Sequence, residues 1–229
     1  MRSSRLIPLG ITVGVAALLS IAIGGPAVGD ATSLAGRNIA GRYIYVISRD
    51  GDPIGQQSIE VETAGAVVTA TTETRIAVTF LGMTLYRMDQ RIAETYTDME
   101  LTRIRSETDD DGEIRKVDLT RYGKVLKGTF NGEARSLFCD CMASTMWHAE
   151  SVAKPVILEA SRARLRQVTI RNLGMESLTL PSGRVEADHI VVTGEMDREV
   201  WYDAQGMLVA SLQKGRDGSV IRQELLQHP

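Results

Sequence analysis

Cys139-Asp140-Cys141, with His148 a short way downstream, brings together the side chains in this chain best suited to redox or metal chemistry. Two thiolates and an imidazole, with Met142 and Met146 as soft neighbours, would suit copper or thiol–disulfide exchange. The second cysteine pair of a zinc or iron–sulfur pattern is missing. In an exported chain an even cysteine count favours a bond between Cys139 and Cys141. A disulfide is therefore the expectation, with two free thiols, or a redox or metal site on Cys139, Cys141 and His148, as the alternatives.

A second set, Glu107, Asp109, Asp111, Gly112, Ile114 and Asp118, follows the spacing of a calcium-binding loop. That loop needs Asp first, a bidentate Glu last and a helix on each side. Here the two ends are exchanged and the flanks alternate like strands. A solvated hairpin turn at Asp109-Asp110-Asp111-Gly112 explains the acids more simply, and no metal is expected. Nucleophilic catalysis would need a base, and the chain has three histidines. His228 lies beside the C-terminus, and His189 sits in a strand-like run where a structural role is commoner. His148 could reach Cys141 or Ser144, but no glycine-flanked nucleophile elbow surrounds it. Phosphate-binding loops, His-Glu-x-x-His and dinucleotide fingerprints are all missing, so neither catalysis nor a cofactor is expected.

The elements that must position these residues are strands. From Tyr43 onward, short β-branched and aromatic runs alternate with turn signals at Asp50-Gly51-Asp52-Pro53, Ala64-Gly65, Asn131-Gly132, Pro181-Ser182-Gly183, Asp203-Ala204-Gln205-Gly206 and Asp217-Gly218. The clearest strand runs from Thr84 to Tyr96, with Tyr86, Met88, Ile92 and Tyr96 on one face and Arg87, Asp89 and Arg91 on the other. Gly82 marks a sharp turn or bend before it. Between Met142 and Arg166 the alternation stops, and Ser144 to Val152 can form two helical turns with Ser144 as N-cap, limited by Pro155. The fold class that follows is mainly all-β: a long, curved antiparallel meander or half-barrel, with one short helical segment near 144–153.

The N-terminus has the layout of an export signal. Arg2 and Arg5 precede an apolar stretch from Leu6 to Ile23, and Pro26, Ala27 and Gly29 fit a cut before Asp30. An uncleaved membrane anchor is the alternative, and no cysteine near the cut supports a lipid anchor. The expected arrangement is a signal peptide over 1–29 and a single β-rich domain over 30–229, periplasmic and without a membrane span after cleavage. Losing Arg2 and Arg5 leaves 24 of 26 basic residues against 29 acidic ones, a charge of −5, which disfavours nucleic acid as a partner.

Three stretches carry a resemblance: Tyr45 through Gly55, Phe80-Leu81-Gly82-Met83-Thr84-Leu85-Tyr86-Arg87, and Trp201-Tyr202-Asp203-Ala204-Gln205-Gly206-Met207-Leu208-Val209. Together with Ser144, Thr145 and Trp147, they make the chain resemble a family of exported bacterial β-rich proteins described only as a domain of unknown function. That family tends to place Asn-Pro after the Trp, where His148-Ala149 stands here, and Cys139 and Cys141 are peculiar to this chain. The resemblance implies a periplasmic β-rich domain and no catalytic residues. In architecture alone the chain is similar to lipoprotein-carrier half-barrels, which hold acyl chains between a curved sheet and a lid.

The leading functional expectation is a non-enzymatic carrier or binding module for a lipid or other apolar envelope molecule, with Phe80, Tyr86, Met88, Ile92 and Trp147 facing the ligand. The same stripe would also suit ordinary core. A module docking on another envelope protein, through a sheet edge or the face carrying Arg87, Asp89 and Arg91, is the second expectation. The redox or metal protein is the third.

Overall fold

The computed structural model describes residues 38–215 and 217–229, apart from the side chain of Phe80. The expected export signal and its cut before Asp30 lie outside the described residues.

Among the described residues, fifteen strands form one sheet in the order β8-β7-β6-β5-β4-β3-β2-β1-β15-β14-β13-β12-β11-β10-β9. The first eight are β1 (Gly41–Arg49), β2 (Asp52–Ala64), β3 (Val67–Phe80), β4 (Met83–Thr97), β5 (Glu100–Asp110), β6 (Glu113–Tyr122), β7 (Val125–Phe130) and β8 (Glu133–Phe138). The rest are β9 (Met142–Ala143), β10 (Val156–Glu159), β11 (Arg164–Leu180), β12 (Gly183–Gly194), β13 (Arg198–Tyr202), β14 (Leu208–Lys214) and β15 (Val220–Gln227). Neighbours are antiparallel except β9 and β10, and β1 with β15 closes the chain's two ends into one continuous sheet. The mainly all-β antiparallel meander expected from the sequence is the fold observed.

The sheet is open but curled, so that its two halves face each other. Ser106 of β5 donates its hydroxyl to Ala160 O, at 2.8 Å, across the interior. Strand alternation sets the inner lining: Tyr43, Tyr45 and Ile47 of β1, Val68, Ala70, Thr72 and Thr74 of β3, and Ile92, Glu94 and Tyr96 of β4 are all buried. Gly55 lets β2 approach β3 closely, since a Cβ there would lie 2.1 Å from Arg75 O. The β2–β3 ladder ends at that pair, Gly55 with Ile76. Just beyond it Pro53, which has no N–H to donate, sits at a bulge opposite Ser48.

The segment after Cys141 crosses the interior as a plug. It is less helical than expected: a single 3-10 turn, Ala149–Val152, capped by His148 and not by Ser144. Ser144 instead donates its N–H to Leu158 O, at 2.9 Å, and its Oγ accepts Ala160 N–H. Neighbouring strands take up the backbone groups that a helix would have paired internally. Ala149 N–H reaches Gly206 O at 2.8 Å, Leu208 N–H reaches Trp147 O at 3.0 Å, and Met146 adopts a φ of 50°, which breaks a helix. Trp147, Tyr45, Tyr96 and Tyr202 are the largest fully buried side chains, and each polar tip finds a partner.

Candidate ligand-binding site

Above the plug the curled sheet borders a half-open cavity of about 370 Å³. Its apolar lining is Ile47, Ile76, Met88, Ile92, Met196 and Ile221. Amides and hydroxyls alternate with these on the same strands: Gln57, Thr72, Thr74, Gln90, Ser211, Gln213 and Gln223, with Ser144 and Thr145 of the plug also lining the space. Most of these residues come from the contiguous strands β4-β3-β2-β1-β15-β14, which can border one space with Met196 and the plug only because the sheet curls. Thr72 Oγ1 and Gln223 Nε2 have no hydrogen-bond partner among the described residues.

Arg198, at the start of β13, is the cavity-lining cation without an acidic partner among the described residues. Its Nη2 and Nε donate to Gln213 Oε1 at 2.6 and 3.2 Å, and its Nη1 to Ser144 O at 3.2 Å. The residue is half-buried, and burial lowers its pKa from the ordinary guanidinium value. The other lining charges are engaged: Arg166 pairs with Glu159 at 2.6 Å, and Glu195 accepts Gln167 N–H. A half-buried cation held only by neutral oxygens favours an anionic or strongly accepting ligand group.

Glu94 lies one inward position below Ile92 on β4, under the cavity floor. It is 1 % exposed, and its partners are Thr145 Oγ1 (2.6 Å), Tyr96 Oη (2.6 Å) and Trp147 Nε1 (3.2 Å), all donating to the carboxyl. Burial raises its pKa above the usual carboxylate range, and the three donors oppose part of that rise. Thr145 touches both the cavity and the acid, so the plug is fastened to the wall immediately beneath the ligand space.

Of the side chains expected to face a ligand, Met88 and Ile92 line the cavity. Tyr86 is half-buried at its outer margin, where its hydroxyl donates to Asp110 at 2.7 Å. Trp147 is sealed in the core against Tyr96 and Glu94 and does not line the cavity. Phe80 closes β3, and its side chain lies outside the described residues. Gln57, Gln90, Gln213, Gln223 and Arg198 were not anticipated. Gln90 falls on the same period-two face as Met88 and Ile92, which was the available signal, whereas Arg198 is brought in only by the curl.

Cys139 and Cys141 are joined in a disulfide, and both are buried. His148 is engaged: its Nδ1 accepts Glu150 N–H at 3.2 Å and its Nε2 faces Gln205 O at 3.3 Å. Among the described residues no group of three His, Cys, Asp or Glu is arranged to hold a metal. His189 stacks on Trp201 with ring centroids 4.3 Å apart, between Glu199 (2.9 Å) and Glu176 (3.1 Å). The acids around the β5–β6 turn are likewise occupied. Asp109 accepts Gly112 N–H, Asp110 pairs with Arg115 and Glu107 with Lys116. On the outer face Arg87 pairs with Asp89, and Arg91 with Glu73, which reduces the free charge available for docking there. A second depression, of about 540 Å³, lies between Tyr43, Leu180, Asp203 and the C-terminal His228 and Pro229, and contains no comparable half-buried cation.

No curated protein matches this chain. Among solved structures it is similar to a β-barrel-like protein of a domain of unknown function, DUF1849, from Brucella abortus. The identity is 13 %, the match covers 81 % of this chain and 95 % of that one, and the TM-score of 0.62 supports the fold alone. A structure from Parabacteroides distasonis, titled "putative lipoprotein", aligns at 10 % identity over 82 % of this chain and 94 % of that one. Its TM-score of 0.32 carries no structural argument. A model of the family described as a domain of unknown function (DUF6134) matches residues 45–226, and the chain belongs to that family.

Proposed function

We propose that this protein is a non-enzymatic binding module of the bacterial periplasm, exported by a cleaved N-terminal segment, that holds an anionic amphiphile inside its curled sheet. The observation that carries this is the cavity of about 370 Å³ whose lining mixes apolar side chains with amides and hydroxyls, where Arg198 has no acidic partner among the described residues. An apolar chain fits along Ile76, Met88, Ile92 and Ile221, and a carboxylate or phosphate meets Arg198. This sharpens the expectation of an apolar ligand, because a purely apolar molecule would leave the amides and the cation desolvated without compensation. The volume lies within the range of small-molecule sites.

Titration with a fluorescent fatty acid, and with the matching fatty alcohol, tests the proposal. The parent is expected to bind the acid more tightly, and Arg198→Met to lose roughly ten- to a hundredfold in affinity for the acid and little for the alcohol. Met88→Ala is expected to weaken both probes yet cost under ~2 kcal/mol in stability, because Met88 borders open space. Parent protein that binds neither probe, with Met88→Ala costing ~2–5 kcal/mol, would mark the lining as plain core and end the proposal.

A further inference from the structure

The β3–β4 hairpin outruns both of its neighbours. β2 pairs with β3 only as far as Ile76, and β5 pairs with β4 only from Met88, so from Ala77 to Tyr86 the ribbon pairs with itself alone. Five residues past Ile76, at ~3.3 Å each, carry its tip about 17 Å beyond the last shared pair. That tip is apolar and open to solvent: Leu81 is 83 % exposed, Met83 61 % and Leu85 59 %.

The turn itself is unusual within this molecule. Asp50-Gly51, Asp111-Gly112 and Asn131-Gly132 are two-residue turns with positive φ at both positions, and each places Asp or Asn first, the side chains that tolerate that conformation best. The hairpin tip has the same turn but places Leu81 first, at φ 48°, before Gly82 at 79°. A large apolar side chain is thus held in a strained conformation, pointing into water, where Asp or Asn takes that place in these three turns and in the further turn Asp98-Met99. A register shift between Val78 and Thr79 leaves Leu85 with no partner across the ribbon and turns it outward.

We infer that this hairpin is a membrane-surface probe, dipping its Leu81–Leu85 tip into a phospholipid bilayer to load or unload the cavity. Two features select a bilayer over a protein partner. Arg75 and Arg87, with side chains 80 % and 67 % exposed, flank the ribbon's base beside Asp89, which sets two exposed guanidinium groups, balanced by Asp89 and Asp109, at the level of lipid phosphates. The base also opens into the ligand space: Ile76 and Met88 line the cavity and pair with each other, and the half-buried pair Val78 and Tyr86 continues the apolar track towards the tip. Backbone groups on the ribbon's two free edges still need water, so insertion is shallow and confined to the turn.

The inference rests on the proposed carriage of an amphiphile, but its test is separate. Protein taken from the cell envelope, with its N-terminus read by mass spectrometry, is floated with phosphatidylcholine vesicles with and without phosphatidylglycerol. Leu81→Ser combined with Met83→Ser and Leu85→Ser is expected to lower partitioning onto both kinds of vesicle by roughly a hundredfold, with Tm unchanged. Arg75→Gln with Arg87→Gln is expected to weaken partitioning far less than the triple change does. Leu81→Asn alone is expected to raise Tm while lowering vesicle binding, a pairing that a merely structural turn would not give. Equal partitioning of parent and triple variant overturns the inference, as does a dimer of the parent that the triple variant loses. If the fatty-acid probe still binds in either case, the cavity proposal survives and only the membrane contact falls.

Discussion

Glu94→Leu is expected to destabilise the protein by about 3–5 kcal/mol, because it leaves three buried donors, Thr145 Oγ1, Tyr96 Oη and Trp147 Nε1, without an acceptor. Glu94→Gln is expected to stay within about 1 kcal/mol of the parent at neutral pH. Its Oε1 can accept from Tyr96 and Trp147 while its Nε2 donates to Thr145 Oγ1, which reverses one bond and leaves the Thr145 hydroxyl proton to turn towards the cavity that Thr145 lines. The pH dependence separates the two proteins further. Burial raises the folded pKa of Glu94, so the folded state holds this proton more tightly than the unfolded chain, whose carboxyl titrates near 4.5. The stability linked to the protonated acid is fully present below that value and is lost as pH rises through the folded pKa. Parent stability should therefore decline across that window relative to Glu94→Gln. Denaturant midpoints measured from acid to neutral pH check both claims, and a parallel pair of curves would show that Glu94 does not titrate there.

Trp147→Ala is expected to cost about 3–5 kcal/mol, combining the loss of a fully buried ring with an emptied space against Tyr96. Trp147→Phe keeps most of the volume but removes the Nε1 donor to Glu94, and is expected to cost about 1–3 kcal/mol. Neither change should alter the acid-over-alcohol preference in material that remains folded, since Trp147 lies beneath the cavity floor and not in its wall. Unfolding followed by circular dichroism, paired with probe titration of Trp147→Phe, checks this. Loss of binding with stability retained would place Trp147 at the ligand.

What could be read in the sequence was whatever depends on neighbours along the chain. Period-two alternation over Thr84–Tyr96 identified β4 and the faces of Met88 and Ile92, and the Asp-Gly and Asn-Gly pairs marked hairpins that are present. Two features stayed hidden because their partners are remote. Glu94 stands in plain alternation with Ile92 and Tyr96, yet its donors Thr145 and Trp147 are 51 and 53 residues away, so nothing local marks it as buried. The plug looked helical through Ser144 for a similar reason. Local capping chemistry was satisfied on paper, while the actual partners of its backbone, Leu158, Gly206 and Leu208, arrive from distant strands. Arg198 reads as an ordinary surface arginine until β13 and β14 curl it towards Gln213 and Ser144.

The most direct measurement is native mass spectrometry of the protein taken from its own envelope and gently desolvated. A stoichiometric adduct is expected, with the mass of an anionic amphiphile that fits a half-open cavity of about 370 Å³ whole or by its acyl portion, and absent from Arg198→Met prepared in the same way. Protein that carries no adduct, and that gains none when offered fatty acid before ionisation, would contradict the assignment of the curled sheet as a ligand-binding site.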